Sequence, residues 1–329
     1  MEKPVEILFT EDILKRFLNS FGLQSEVKKL GDFENYVFEV SHGDTPVILR
    51  ITHSSHRSKD EIYAELDWMN YLNNQRVNCP TVFQSVNNQI IEVLQAADGS
   101  FFYGCLYSKV PGNPVKISSE EFNEQLFYAW GKATGQMHCV TKNYKPSKEA
   151  KLRPSWEDEE LLDIETYVPN EEKIIKNSNL LINELKLLPK NKDNFGLIHS
   201  DIHSGNFFYD GESIHVFDFD DCSYHWYASD IAIPLYYSIM YGYHSASERE
   251  RVQFAHKFLT YFVEGYEQHT SLPEGWKEQL PLFFNLRDIT LFTVLHKKIP
   301  TEERDESLNK MIEGLRKRII NREPIVKLD

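Results

Sequence analysis

Hydrophobic positions in the first third of the chain come in short runs that suit strands, and those beyond recur mostly at helical spacing. Residues 33–40 (FENYVFEV) and 46–52 (PVILRIT) are rich in β-branched and aromatic side chains. The turn-like SHGDT between them predicts two strands, and a helix over roughly 10–21 precedes them. In 58–74, Ile62, Leu66, Met69 and Leu72 fall on one side of a predicted helix. Strands are expected near 81–86, 89–96 and 100–108. KVPGNPV at 109–115 then breaks the pattern with two prolines and a glycine, as a hinge would. Past it, 120–141 reads as a long amphipathic helix. A charged, proline-punctuated connection runs through 157, helices continue to about 188, and helices fill most of the chain after the stretch at 198–222.

This order predicts an α+β protein with two lobes, a small β-rich one over 1–109 and a larger helical one over 110–329. Ligands favour the cleft that such an arrangement creates. Composition narrows the choice of ligand. The 329 residues carry a formal net charge of -14. An acidic surface repels phosphate backbones and anionic lipid, so neither nucleic acid nor membrane is an expected partner. No apolar run is long enough to span a bilayer. Cys79, Cys105, Cys139 and Cys222 are widely spaced, which gives neither a disulfide framework nor a zinc knuckle and suits a reducing, cytoplasmic compartment. The opening MEKPVEILFTEDILKRFL lacks a signal-peptide core.

The stretch IHSDIHSGNFF at 198–208 is the densest in candidate chemistry. If it were a strand, His199, Asp201 and His203 would share one face, and zinc accepts both residue types. The downstream sequence favours something else. Phe207, Phe208 and Tyr209, a turn at 210–212, then 214–217 read as a β-hairpin. Such a hairpin would bring Asn206 and Asp218 together at its open end, near Asp201. Oxygen donors of this kind suit Mg²⁺ better than zinc. His199-Ser200-Asp201, four residues, then Asn206 fits the kinase form H-x-D-x-x-x-x-N. Asp218-Phe219-Asp220 stands where kinases place a metal-binding D-F-G. In that chemistry Asp201 accepts the acceptor hydroxyl proton and Asn206 and Asp218 hold Mg²⁺ on ATP, while His199 reads as an orienting residue behind the loop and His203 as a brace of the loop or a companion of Asp201.

HSDIHSGNFF followed by VFDFDDCSYHWYASDIA resembles the aminoglycoside phosphotransferase family, whose superfamily includes choline, homoserine and methylthioribose kinases. GKATGQMHCVTKNY is similar to the helix before the catalytic loop in bacterial relatives. The resemblance implies a protein-kinase-like fold, ATP and Mg²⁺ as cofactors, and a small-molecule hydroxyl as acceptor. It also implies a phosphate cover, a cation and a helix carboxylate in the first lobe. Gly31, Asp32, Phe33, Glu34 and Asn35 occupy the place of the nucleotide loop, with one glycine instead of three. Arg50 stands where kinases usually carry lysine, and arginine keeps the charge with a different shape. Ser58 and Glu61 read as a capping box, which leaves Glu65 as the partner for Arg50. Tyr107, Ser108, Lys109 and Val110 would hold adenine through their backbone.

Gly131-Lys132 is no Walker motif, because Ala133 follows and residue 126 is not glycine. Asp230 resembles a family aspartate that caps and anchors a helix. The acidic run at Glu157, Asp158, Glu159 and Glu160 would suit an amine acceptor, or is simply a solvated helix end. Arg287 and Asp288 are candidates to line the acceptor site. Ser200 replaces the arginine of H-R-D, and no long activation loop follows Asp218, which favours a small-molecule kinase. The rival readings are a nucleotide-binding pseudokinase and a bacterial protein Ser/Thr kinase. The sequence is silent on oligomeric state.

Overall fold

The computed structural model describes residues 2–328. The chain groups into two compact units. The first comprises the chain up to Pro111 with Tyr144–Arg153 and His215–Asp220; the second comprises Gly112–Asn143, Pro154–Ile214 and the chain from Asp221 onward.

The first unit begins with helices α1 (Lys3–Leu8) and α2 (Glu11–Ser20), where one helix was expected. Strands β1 (Val27–Gly31), β2 (Tyr36–His42) and β3 (Thr45–His53) follow, then helix α3 (Lys59–Asn74) and strands β4 (Val82–Phe83), β5 (Glu92–Gln95) and β6 (Phe101–Ser108). They form an antiparallel sheet in the order β1-β2-β3-β6-β4, with β5 also on β6. In β2 the buried residues Tyr36, Phe38 and Val40 alternate with less buried ones. They meet Phe17, Leu49, Ile51, Phe102 and Leu106 in one apolar core. Burial of each such side chain stabilises the unit by roughly 1.5–3 kcal/mol. Helix α3 starts at the predicted capping box of Ser58 and Glu61, and Ile62, Leu66, Met69 and Leu72 are all buried. The 144–153 segment is tied to α3, where Asp67 accepts the Tyr144 hydroxyl at 2.7 Å and the Ser147 N–H at 3.1 Å.

The second unit contains helices α4 (Glu124–Thr141), α5 (Ile164–Tyr167) and α6 (Glu172–Lys186) and strands β7 (Phe195–Ile198) and β8 (Phe207–Tyr209). Strand β9 (Ile214–Val216) pairs with β8 as the expected hairpin, and the division between the units falls within β9. Strand β10 (Ser223–Trp226) lies antiparallel to β7, with Ser223 opposite Ile198. Helices α7 (Tyr227–Gly242), α8 (Glu248–Tyr266), α9 (Trp276–Lys298) and α10 (Glu306–Asn321) complete it. Helix α7 is buried over most of its length, as befits the centre of a helical core. Helix α4 crosses α8 at Gly131, Gly135 and Gly265; a β-carbon at any of them would collide with the facing backbone. Close helix approach, rather than phosphate binding, accounts for Gly131. No helix among the described residues is long and apolar enough to cross a membrane.

Candidate active site

The sites expected from the sequence fall in both units. In the first, Arg50 on β3 donates from Nη1 and Nη2 to Glu65 on α3 at 2.8 and 2.6 Å. Such two-bond pairing is the geometry that arginine, unlike lysine, can supply. Glu61 is occupied by Ser58, one helical turn earlier. The Arg50 guanidinium also lies 5.2 Å from the Tyr107 ring centre. Burial works against its charge, but Glu65, Tyr107 and Asp220 outweigh it and keep Arg50 firmly cationic.

Gly31 ends β1, and Asp32, Phe33, Glu34 and Asn35 connect it to β2. Asp32 pairs with Lys29 at 2.6 Å, Phe33 is exposed, and Asn35 is buried, accepting the Thr52 hydroxyl at 2.6 Å. Glu34 lies 3.8 Å from His56. Of the residues assigned to adenine, Ser108 has its backbone N–H on the Thr81 carbonyl at 2.9 Å. Lys109 pairs with Glu39 at 3.1 Å, and Tyr107 and Val110 are buried.

Asp218, just past β9, has φ 64°, a left-handed conformation that costs a non-glycine residue about 1–3 kcal/mol. Its neighbours are firmly held. Phe219 is fully buried and meets the Trp68 ring edge-on at 5.5 Å. Asp220 accepts from His56 Nε2 at 2.6 Å, with Arg57 at 3.6 Å and Arg50 at 4.0 Å. The Asp220 carbonyl accepts from Arg153, which also donates to the Glu61 carbonyl at 3.0 Å. Burial opposes ionisation of Asp220, but Arg57, His56 and Arg50 hold its carboxyl well below the usual range. Glu34, His56 and Asp220 bring ligand-type atoms within 4.8 Å of one another. Arg50 and Arg57 already supply positive charge there, so this cluster is an ion-pair network.

In the second unit β7 ends at Ile198, and His199, Asp201 and His203 lie in the following loop. The strand-borne metal comb does not form, because the β7–β10 pairing stops at Ile198. The loop is closed by its own side chains. Asn206 Nδ2 donates to the Asp201 carbonyl at 2.9 Å and to its Oδ2 at 3.0 Å. His199 Nδ1 accepts the Asp201 N–H at 3.3 Å. His203 Nδ1 accepts the Gly205 N–H at 2.9 Å, and its Nε2 sits 3.3 Å from Asp201 Oδ2. The Asn206 nitrogen is thus spent on Asp201, and the other atom of its amide is an oxygen. That amide oxygen and the Asp218 carboxylate are donor types that fit a hard divalent cation.

Sequence reasoning named Arg287 only as a residue to line the acceptor site and did not pair it with Asp201. Arg287 on α9 donates to its Oδ1, and burial of Asp201 is outweighed by Arg287, His203 and His199, which bring its pKa down to about 2. Asp230 was expected to cap a helix. The α7 N-cap is Trp226, and Asp230 in the first turn instead accepts the backbone N–H groups of His199 and Ser200. Asp288 is committed to Tyr236 at 2.7 Å and Arg318 at 2.6 Å, fully buried. In the acidic run, Glu157 pairs with Lys190 and Lys186, and Glu160 with Lys297; their charges are met within the protein. Only long-range pairing locates these partners, and no local spacing signals them.

The antiparallel sheet unit, the helical unit and the H-x-D-x-x-x-x-N loop define the class as a phosphotransferase of kinase type. Comparison with known proteins agrees. Residues 26–271 match the model of the phosphotransferase enzyme family. Amicoumacin kinase of Bacillus subtilis (strain 168) is 35% identical over 332 residues, covering 100% of this chain and 98% of the relative. A solved amicoumacin kinase, in complex with AMP-PNP, Ca²⁺ and Ami, superposes with TM-score 0.93 at 34% identity, over 100% of this chain and 98% of that one. A microcompartment-associated aminopropanol kinase shares the fold at TM-score 0.75 and 20% identity, over 95% and 98% of the chains. The chain belongs to the phosphotransferase enzyme family and is a small-molecule kinase.

Proposed function

We propose that this kinase transfers the γ-phosphoryl group of ATP, with Mg²⁺, to a hydroxyl of amicoumacin or a chemically related antibiotic. The full-length identity of 35% to amicoumacin kinase carries the choice of acceptor; aminoglycosides, choline and homoserine-like alcohols are the other candidates from the sequence. Residues 1–109 serve as the nucleotide-binding lobe, and 110–329 bind the acceptor and carry Asp201. A cytoplasmic location suits an ATP-consuming enzyme.

In this reading Asp201, ionised in the resting protein, receives the hydroxyl proton as the oxygen attacks phosphorus. Arg50, fixed by Glu65, bears on the α- and β-phosphates, and residues 31–35 cover them. The backbone from Tyr107 to Val110 takes the adenine. Asn206 and Asp218 would hold Mg²⁺, which when bound neutralises phosphate charge. Positioning and charge neutralisation supply most of the acceleration in this class, and a placed base adds on the order of 10²–10⁴-fold.

The test is ADP release from Mg-ATP with amicoumacin, aminoglycosides, choline, ethanolamine, homoserine and methylthioribose, each with Asp201→Asn as control. Turnover with amicoumacin that disappears in Asp201→Asn is the expected result. Turnover confined to another compound would reassign the acceptor. Activity largely retained in Asp201→Asn would remove Asp201 from the role of base.

A further inference from the structure

Both oxygens of Asp201 are engaged in the resting protein. Oδ2 faces two groups of its own loop, Asn206 Nδ2 at 3.0 Å and His203 Nε2 at 3.3 Å. Oδ1 accepts from Arg287 Nη2. A hydroxyl that is to give up its proton must hydrogen-bond to one of these oxygens. The donors on Oδ2 belong to the loop that shapes Asp201. Oδ1 is therefore the oxygen an acceptor has to reach, and Arg287 stands on it.

Arg287 is also built to let go. Its Nε donates to the Tyr237 hydroxyl at 2.9 Å, and its guanidinium carbon lies 4.9 Å from the centre of the same ring. Tyr237 in turn stacks on Tyr241 at 5.5 Å with the planes 11° apart, and His203 meets the Tyr237 ring edge-on at 4.9 Å. A guanidinium released from Asp201 keeps one hydrogen bond and an aromatic face. The contact between Arg287 and Asp201 is only partly sheltered, with the two side chains 21% and 17% exposed, so an incoming molecule can reach it.

A kinase faces a specific hazard when ATP is bound without an acceptor. Water can take the place of the hydroxyl, and the nucleotide is then hydrolysed. We propose that Arg287 is a plug on Asp201 Oδ1 that denies the base to water and yields only to the hydroxyl of a bound acceptor. Binding energy from the rest of the acceptor drives the exchange, as in other cases where the correct substrate completes a site. Without the plug, a water oxygen bonds to the γ-phosphorus and the bond from phosphorus to the β,γ-bridging oxygen breaks. ADP leaves with that electron pair, and the water proton passes to Asp201 and on to solvent. The products are ADP and inorganic phosphate. This inference rests on the assignment of Asp201 as base.

The experiment measures inorganic phosphate released from Mg-ATP without acceptor, and the ratio of ADP formed to acceptor phosphorylated when acceptor is present. It compares the native protein, Arg287→Ala, Arg287→Gln, Arg287→Lys, Asp201→Asn and the Arg287→Ala/Asp201→Asn double variant. Arg287→Ala should raise acceptor-free phosphate release by about tenfold or more, a fraction of what a placed base contributes. The ADP-to-product ratio should climb from near one, Arg287→Lys should bring it part of the way back, and the double variant should lose the excess hydrolysis. Arg287→Gln, which stops at the position of the arginine Nε and so keeps a donor for Tyr237 without reaching Asp201, replaces the alanine variant if that one does not fold. No rise in folded variants that still bind ATP would overturn the plug, as would a rise that persists in the double variant. Acceptor phosphorylation retained in Asp201→Asn would instead overturn the assignment of the base, which separates the two failures.

Discussion

The carboxylate of Asp230 holds the backbone of Ser200. Its Oδ1 accepts the Ser200 N–H at 2.8 Å, and its Oδ2 takes the N–H of His199 at 2.9 Å. Ser200 has φ 67°, a conformation that serine adopts only when its surroundings impose it. Asp201 is the next residue. A fully buried carboxylate on α7 therefore fixes the strained turn that presents Asp201.

Asp230→Asn tests this brace. Asparagine offers one acceptor oxygen, and its amide nitrogen would face a backbone N–H. We expect kcat to fall by about tenfold or more, KM for ATP to stay near its native value, and unfolding free energy to drop by about 1–3 kcal/mol. Steady-state kinetics and urea unfolding of the same sample check both. A kcat at the native level would show that the turn keeps its shape without Asp230.

Local spacing made part of this site legible, and distance along the chain hid the rest. Asp201 and Asn206 share one loop, so their spacing was enough to pair them; Arg50 and Glu65 lie on a strand and the helix that follows it, and there the family resemblance implied the pair. Arg287 is 86 residues from Asp201, and nothing in NLRDITLF says which of its two charged residues faces the loop. Asp288 turned the other way, to Tyr236 and Arg318. The strands show the same division. The alternating run 33–40 became β2, whereas β1 escaped notice because its three central residues are exposed and only pairing with β2 defines it. The runs near 81–86 and 89–96 shrank to β4 and β5, since short apolar stretches carry too little periodicity to fix their ends.

Arg50 and Glu65 give a second prediction. Glu65→Gln leaves Arg50 buried with Asp220 4.0 Å away as its remaining carboxylate. Breaking a buried pair by neutralising one partner costs roughly 3–5 kcal/mol. We expect that loss in denaturant unfolding, together with a raised KM for ATP. Arg50→Lys keeps the charge and loses the two-bond fork, so it should fall between the native protein and Glu65→Gln on both measures. Native ATP affinity in Glu65→Gln would detach the pair from nucleotide binding.

A pH dependence follows from His225 on β10. Its ring is packed among Trp156, Trp226 and Phe283, and its Nδ1 accepts the Trp226 N–H at 2.8 Å. Burial pushes its pKa down to about 3; Asp230 acts in the opposite sense, and Lys190 and Arg287 add to the depression. Below the ordinary value of 6.5 the unfolded chain takes up a proton that the folded one refuses, so stability falls as pH drops from 6.5 toward 3. The full gap corresponds to on the order of 5 kcal/mol. Asn in place of His225 removes the titration. The native protein should be more stable than His225→Asn at pH 7.5, with the advantage shrinking steadily toward pH 4.5 in urea unfolding. A constant difference across that range would mean that His225 takes its proton equally well in both states.

Gly131 and Gly314 make opposite predictions for one substitution. Gly131 lies where α4 crosses α8, and a β-carbon there would run into the Phe262 carbonyl. Gly135 faces the backbone of Tyr266 and Gly265 that of Tyr128, so the two helices are locked at several levels and cannot part at one point. Overpacking of this kind costs about 3 kcal/mol, and Gly131→Ala should lower the unfolding free energy by that much or prevent folding. Gly314 is inside α10, and a β-carbon there would meet only the far end of Arg318, at 3.9 Å. Alanine loses less backbone freedom on folding than glycine does, so Gly314→Ala should raise the unfolding free energy by about 0.5–1 kcal/mol. Urea unfolding of both variants reads the sign directly. A neutral Gly131→Ala would show that α4 and α8 can separate to admit a methyl group, and that close approach is not why glycine stands there.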